Sequence, residues 1–351
     1  MRTVIIGGVA GGMSAATRLR RLDADAEIIV LEKSGHVSYA NCGLPYYVGG
    51  VIEHESSLLL QTPESLHARF RLDVRVNTEV MGIDPIKKTV TIKNLDSHET
   101  HEIYYDKLIL SPGASPVVPP LPGIERGMTL RTVEDVEKIA AHVSAKPKSA
   151  VVIGGGFIGV EIAENLIHKG IQTSLVEATD QVLMPLDPEL ATLVSAEMIK
   201  HGVNLYLGAS VVSIGADSVE LSNGDTVAAE IVILAIGVRP EISLAKAAGL
   251  TIGTRNGIKV DDFNRTSNLD IYAVGDVIGY PSLASAAPGR AATQASSQIS
   301  KPKRTPPMSK IRSPIGSKAA LPAPPAPSPS SSGGVKTSRT PTGHALNHRG
   351  S

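Results

Sequence analysis

The feature that most constrains this chain is a short apolar strand running directly into clustered glycines and then into a helix, and it occurs twice. Residues 3–6 (Thr-Val-Ile-Ile) read as a buried parallel strand. Gly7, Gly8, Gly11 and Gly12 follow, a helix runs to about Leu22, and a second strand covers residues 27–31. The pattern returns at residues 149–153, with Gly154, Gly155, Gly156 and Gly159, a helix to about Lys169 and a strand over 173–176. Each is a βαβ unit, in which free backbone N–H groups and the positive end of the helix dipole face a space suited to a pyrophosphate. Two dinucleotide sites on one α/β chain are therefore expected.

The second unit carries a complete GxGxxG over Gly154, Gly156, Ile158 and Gly159, and Glu177 closes the next strand, 23 residues after the first glycine. A carboxylate at that distance suits a ribose diol and repels a 2′-phosphate, which favours NADH and leaves NADPH as the second choice. The first unit departs from the pattern because Val9 takes the middle-glycine position. The adjacent Gly8 and Gly11 relieve the crowding, and Glu32, 25 residues after Gly7, supplies the ribose carboxylate.

Composition narrows the chemistry. At 351 residues and 42% hydrophobic, the chain can bury more than one core. Its one cysteine, Cys42, excludes an internal disulfide and any multi-cysteine zinc cluster. No histidine sits in a ligand motif, so no metal site is assigned. Residues 281–351 contain 10 Lys/Arg, no Asp or Glu, no aromatic residue and 12 of the 24 prolines. Such a segment cannot bury enough apolar surface to offset its ordering entropy, and a disordered, solvated Pro/Ser/Ala-rich tail is expected there rather than a nucleic-acid or membrane arm. No run reaches the roughly 18 apolar residues of a membrane span, and glycines interrupt the apolar N-terminus, so a cytoplasmic protein is expected.

Cys42 lies ten residues beyond Glu32, in Ser38-Tyr-Ala-Asn-Cys-Gly-Leu-Pro-Tyr46, where the chain leaves the second strand. A lone cysteine is commonly an inert buried residue. Here Gly43 would allow backbone to approach a flat ring, and Pro45 suits the first turn of a helix. A helix start beneath the sulfur favours the thiolate, the form that attacks disulfides.

Further segments carry a resemblance. Residues 266–276 (Thr-Ser-Asn-Leu-Asp-Ile-Tyr-Ala-Val-Gly-Asp) resemble the second flavin signature of two-dinucleotide-domain flavoproteins, residues 107–114 their outgoing crossover and residues 233–240 the return crossover. The segment around Cys42 is similar to that of the single-cysteine pyridine nucleotide-disulfide oxidoreductases, in the branch of coenzyme A-disulfide and persulfide reductases, with Tyr39 where Phe is usual. Residues 61–64 and 183–188 resemble the persulfide reductases. The resemblance covers about residues 1–280.

It implies two Rossmann-like dinucleotide-binding domains, with an FAD domain over 1–112 and 239–280 interrupted by an NAD(P) domain over 113–238. FAD would meet Gly7, Gly8, Ala10, Gly11, Gly12, Glu32, Lys33, Gly113 and Asp276. NADH would meet Gly154, Gly156, Ile158, Gly159, Glu161, Glu177 and Gly237. Ser14, Arg18, Arg21, Ser38 and Asn41 match positions that hold coenzyme A. Electrons would pass from NAD(P)H through FAD to Cys42, which reduces coenzyme A disulfide or a related small-molecule persulfide or disulfide.

Such proteins are homodimers whose dimerisation domain of about a hundred residues closes the flavin pocket. The resemblance stops within a few residues of Asp276, so that domain is expected to be missing, through truncation, a reading-frame change or an altered splice. An obligate interface of roughly 2,000 Å² would then be exposed. Two other readings stay open: an NADH oxidase or peroxidase in which Cys42 cycles through a sulfenic acid, and an inactive nucleotide-binding fragment. Asn41 and Leu44 argue against the oxidase branch, which has Ser and Met there.

Overall fold

The computed structural model describes residues 1–278; the expected tail at 281–351 lies outside them. Among the described residues no helix is long and apolar enough to cross a membrane.

Two parallel sheets of five strands organise the chain. In the first, the order is Ile271–Ala273, Lys107–Leu110, Arg2–Ile6, Glu27–Leu31 and Asp73–Arg75. All its pairings are parallel, with Ile5 opposite Val30 on one side and Ile109 on the other. Such a sheet needs cover on both faces, and its central strand is accordingly buried from Thr3 to Ile6, with Val4 and Ile5 fully so. The helix Ala10–Leu22 lays Met13, Ala16 and Leu19 on the sheet at helical spacing, and Arg20 and Arg21 complement the dipole in its last turn.

The second sheet repeats the plan, in the order Asn204–Leu207, Gln172–Glu177, Ser149–Ile153, Ile231–Leu234 and Gly127–Thr129, again all parallel. Its helix, Phe157–His168, buries Ile162, Ala163 and Leu166. The two crossovers that resemblance suggested are neighbours: Ala114–Pro116 pairs antiparallel with Val238–Pro240. Two three-stranded antiparallel meanders, Thr78–Asp84 with Thr89–Asn94 and Thr100–Tyr104, and Val211–Ile214 with Ser218–Leu221 and Thr226–Ala228, were not read from the sequence.

The glycines do different jobs. Gly7 and Gly154 adopt φ of +100° and +108°, and a methyl at either would lie 2.0 Å from Ser111 O or 2.5 Å from Ala235 O, the carbonyl of the adjoining strand's end. Gly12 and Gly159 bring the helix onto the strand: a methyl there would sit 1.9 Å from the carbonyl of Gly7 or Gly154. This near-identity of two distant segments shows the same steric solution used twice. Gly12→Ala is expected to destabilise the fold by about 1–3 kcal/mol through overpacking against backbone, measured as a lower urea midpoint with an unchanged m-value.

Candidate functional site

The end of the first strand, the glycine turn and the helix start open onto a cavity of about 1200 Å³. Gly7, Ala10, Gly11, Glu32, Lys33, Gly113 and Asp276 all line it. The helix start has no side-chain cap and no acid in its first turn, so its N–H groups and dipole are available to an anion. Glu32 accepts the Gly8 N–H at 2.6 Å and the Ser34 N–H at 2.9 Å. Burial holds its carboxyl above the ordinary value, opposed by those backbone bonds. Gly8 and Gly12 do not line the cavity; Gly8 holds the Glu32 carboxylate and abuts Val37, and Gly12 packs the helix on the strand. Both glycines thus shape the loop that borders the cavity.

Arg131 lines the same cavity and was not singled out from sequence. Its Nε donates to Ala114 O at 3.1 Å, and its Nη2 pairs with the Asp276 carboxylate at 3.4 Å. Lys33 pairs with Glu79 at 2.7 Å on the opposite margin. Arg131 follows a strand of the second sheet, in a stretch with no motif of its own, so only the fold delivers it to Asp276.

The cysteine segment is tied to the first glycine turn. Ser38 N–H donates to Gly8 O at 2.9 Å, and residues 38–60 close on themselves through Ala40 N–H to Leu58 O at 2.9 Å and the Tyr39–Leu59 bridge. Asn41–Gly43 forms one 3-10 turn leading into the five-residue helix Leu44–Val48, with Pro45 in its first turn as expected. Cys42 is exposed. A methyl at Gly43 would meet Leu58 at 2.8 Å and Ile52 at 3.0 Å, so its smallness lets the turn pack on apolar side chains.

A second cavity, about 320 Å³, is lined by Ser14, Thr17, Ser38, Gln61 and Arg69 among others. Val9, Ala10 and Tyr39 line both cavities and so form the wall between them. Tyr39 is 8% exposed, and burial beside Glu32 pushes its phenol up to about 12, which keeps the hydroxyl protonated. Of the five expected coenzyme A positions, Ser14 and Ser38 meet at the smaller cavity and Asn41 faces the larger. Arg18 and Arg21 line neither; Arg21 is exposed, and Arg18 Nε is buried without a partner. Asn41 Oδ1 is likewise buried and unpartnered, an acceptor left for a group in the cleft.

In the second unit Glu177 accepts the Gly155 N–H at 2.6 Å and the Thr179 N–H at 2.8 Å, as Glu32 does in the first. A methyl at Gly156 would meet nothing within 4 Å, and Phe157 and Ile158 beside it are exposed, so the helix start is open to a ligand. Gly237, at φ +104°, is also exposed and uncrowded. Glu161 lies one turn along the helix, its carboxyl raised by burial and then by Glu164. Residues of both units fit the dinucleotides expected of them.

One cluster was invisible in the sequence. Among the described residues, ligand atoms of His36, Glu55 and Glu137 fall within 4.8 Å of one another. These three are scattered over about a hundred positions and share no motif.

Two strand–glycine–helix units, each with an open helix start and a carboxylate on the next strand, define the class of two-dinucleotide-fold oxidoreductases. The pyridine nucleotide-disulphide oxidoreductase family model matches residues 1–291, and the chain belongs to that family. It is 33% identical over 279 residues to the coenzyme A disulfide reductase of Staphylococcus aureus (strain JH9), covering 79% of this chain and 63% of that protein. Among solved structures it is similar to reduced Bacillus anthracis CoADR-RHD, with 46% identity and a TM-score of 0.82 over 85% of this chain and 56% of that one. It is also similar to an NAD-dependent persulfide reductase from A. fulgidus, with 35% identity and a TM-score of 0.81 over 86% and 60%. The chain thus spans less than two thirds of each of these relatives.

Two outcomes follow from the site. Gly156→Ala should leave stability within about 1 kcal/mol, since its backbone is ordinary and its surroundings open, yet weaken NADH binding at least about tenfold by crowding the phosphate approach; calorimetric titration beside a thermal melt checks both. For Glu32, a folded-state value above 4.5 means the folded chain binds the proton more tightly than the unfolded one. Its contribution is complete below the unfolded carboxylate value and is lost as pH rises through the folded value. In cofactor-free protein, Glu32→Gln should flatten the fall in melting temperature across that window.

Proposed function

We propose that this chain is an FAD- and NAD(P)H-dependent reductase of coenzyme A disulfide or a related persulfide, acting through Cys42. The observation that carries the reading is the placement of the single, exposed sulfur: its neighbour Asn41 lines the larger cavity, while Ser38 and Tyr39, just before it, line the smaller. Cys42 itself lines neither cavity, but the segment just before it walls both, and an exposed sulfur at the end of that segment suits a relay between a cofactor and an external disulfide.

In this reading residues 1–112 and 239–280 hold the flavin, and residues 113–238 hold the nicotinamide nucleotide. The open start of the helix Ala10–Leu22 binds the FAD pyrophosphate, Glu32 the ribose, and Asp276, steadied by Arg131, the ribityl chain. Gly156, Ile158 and Glu177 hold NADH, the carboxylate disfavouring a 2′-phosphate. Bound FAD supplies the two-electron chemistry that connects the nicotinamide to the sulfur.

The cysteine half-reaction is balanced on this chain's own atoms. The Cys42 thiolate attacks one sulfur of the acceptor, the acceptor's S–S bond breaks, and one thiolate leaves and takes up a proton. The other half stays on Cys42 as a mixed disulfide. Two electrons then reduce that bond, releasing the second thiol and restoring Cys42. Tyr39, protonated and in the shared wall, is a fixed donor beside the path, and Ser14, Ser38 and Arg69 present polar groups to the acceptor. A cytoplasmic setting, where thiols stay reduced, belongs to this reading.

The similarity to the water-forming NADH oxidase of Lactobacillus brevis, at 29% identity and a TM-score of 0.80, supports oxygen as the competing acceptor. Anaerobic NADH titration followed by addition of coenzyme A disulfide, air or peroxide separates the two. In Cys42→Ser, NADH should still bleach the flavin while disulfide reduction falls by roughly 10³-fold or more. Equal disulfide rates in both proteins would remove Cys42 from the mechanism, and flavin reduction with no acceptor used would favour a binding fragment.

A further inference from the structure

The helix that follows Cys42 is docked on the second sheet's helices. Leu44 and Val48 join one apolar cluster with Val133, Val136, Ile162 and Leu166, so the helices Val133–Ser144 and Phe157–His168 hold it. At its end stands Gly49, whose φ of −69° is open to any residue. The glycine is therefore required by space and not by conformation: a methyl would lie 1.9 Å from Asn165 Oδ1 and 2.6 Å from Asn165 Cγ.

Asn165 is itself unusual. It is 2% exposed, in the body of an apolar helix, where an amide is costly to bury and a weak helix former. Its Nδ2 donates to Glu161 O at 2.8 Å, which settles one side of the amide and turns the other toward Gly49. The helix carrying it begins immediately after Gly156, so a rigid rod of nine residues, about 13 Å at 1.5 Å per residue, joins the glycine turn to the Gly49 contact. Gly49 lies seven residues from Cys42.

We infer that the Asn165–Gly49 contact is a positioning contact through which a nucleotide on the second glycine turn sets the reactivity of the Cys42 sulfur. The inference rests on the function proposed above and adds to it the route between the two sites. A short buried amide against a bare backbone tolerates little sliding, so a displacement of one helix start is passed to the other helix rather than absorbed.

The single cysteine makes the test specific. In the full 351-residue chain, the rate of Cys42 alkylation by iodoacetamide is followed by mass spectrometry with and without saturating NAD⁺. The unaltered chain should show a rate change of about fivefold, the lower end of usual coupling between sites. Asn165→Ala, which empties the contact, and Gly49→Ala, which overfills it, should each bring the ratio to within about twofold of unity while NAD⁺ still binds by calorimetry. A merely structural role would lower the melting temperature and leave the ratio untouched. If Asn165→Ala does not fold, Gly49→Ala decides. Binding of NAD⁺ without any rate change in the unaltered chain, or an undiminished change in a folded variant, overturns the inference alone. Absence of NAD⁺ binding overturns both it and the proposed function.

Discussion

The structure depends on a close approach between a helix start and the strand that feeds it. At Gly12 over Gly7 O, and again at Gly159 over Gly154 O, the absence of a side chain lets backbone meet backbone at a distance no Cβ would allow. This contact aims each helix start, with its unpaired N–H groups, at the crevice above the strand ends. The carboxylates Glu32 and Glu177 then brace the turns by accepting one backbone N–H from each. An open helix start and a braced carboxylate are consequences of one steric arrangement, built twice.

The cleft so formed is rich in acids. Glu32, Glu79, Glu134, Asp135, Glu241 and Asp276 line it beside Lys33 and Arg131. Such a lining repels a dinucleotide unless its phosphates lie where the positive groups are, at the helix start and near the guanidinium. Burial raises the Glu32 carboxyl while Ser34 and Gly8 N–H bonds oppose it. At Glu134 burial pushes the carboxyl up, but hydrogen bonds from its own helix start and from Gly35 N–H, with His36 nearby, together hold it below the usual range. Two carboxylates lining the same cleft are thus set in opposite directions by burial, which outweighs three backbone N–H bonds at Glu32 but not the hydrogen bonds and the nearby His36 at Glu134.

The Cys42 sulfur owes its place to neither sheet alone. Ser38 N–H on Gly8 O fastens the segment before it to the first glycine turn, while Leu44 and Val48 after it pack among Val133, Val136, Ile162 and Leu166. Cys42 therefore sits on a splint between the two dinucleotide folds. The crossovers Ala114–Pro116 and Val238–Pro240, where the chain passes from one dinucleotide fold to the other and back, are paired to each other.

Local periodicity was enough to read both βαβ units, the helix from Ala10 to Leu22 and the carboxylates at 32 and 177, because each signal lies within some thirty residues and follows from strand burial and glycine sterics. The singularity of Cys42 was legible by counting. What the sequence could not decide was which distant residues meet: Arg131 on Asp276, Asn165 on Gly49, and His36 with Glu55 and Glu137 have no shared local pattern. Nor could it show that Gly43 packs against Leu58 and Ile52, or that of Ser14, Arg18 and Arg21 only Ser14 lines a cavity. Composition and spacing act along the chain, whereas these contacts arise where two separately folded sheets press together, and only the packing of one surface on another selects them.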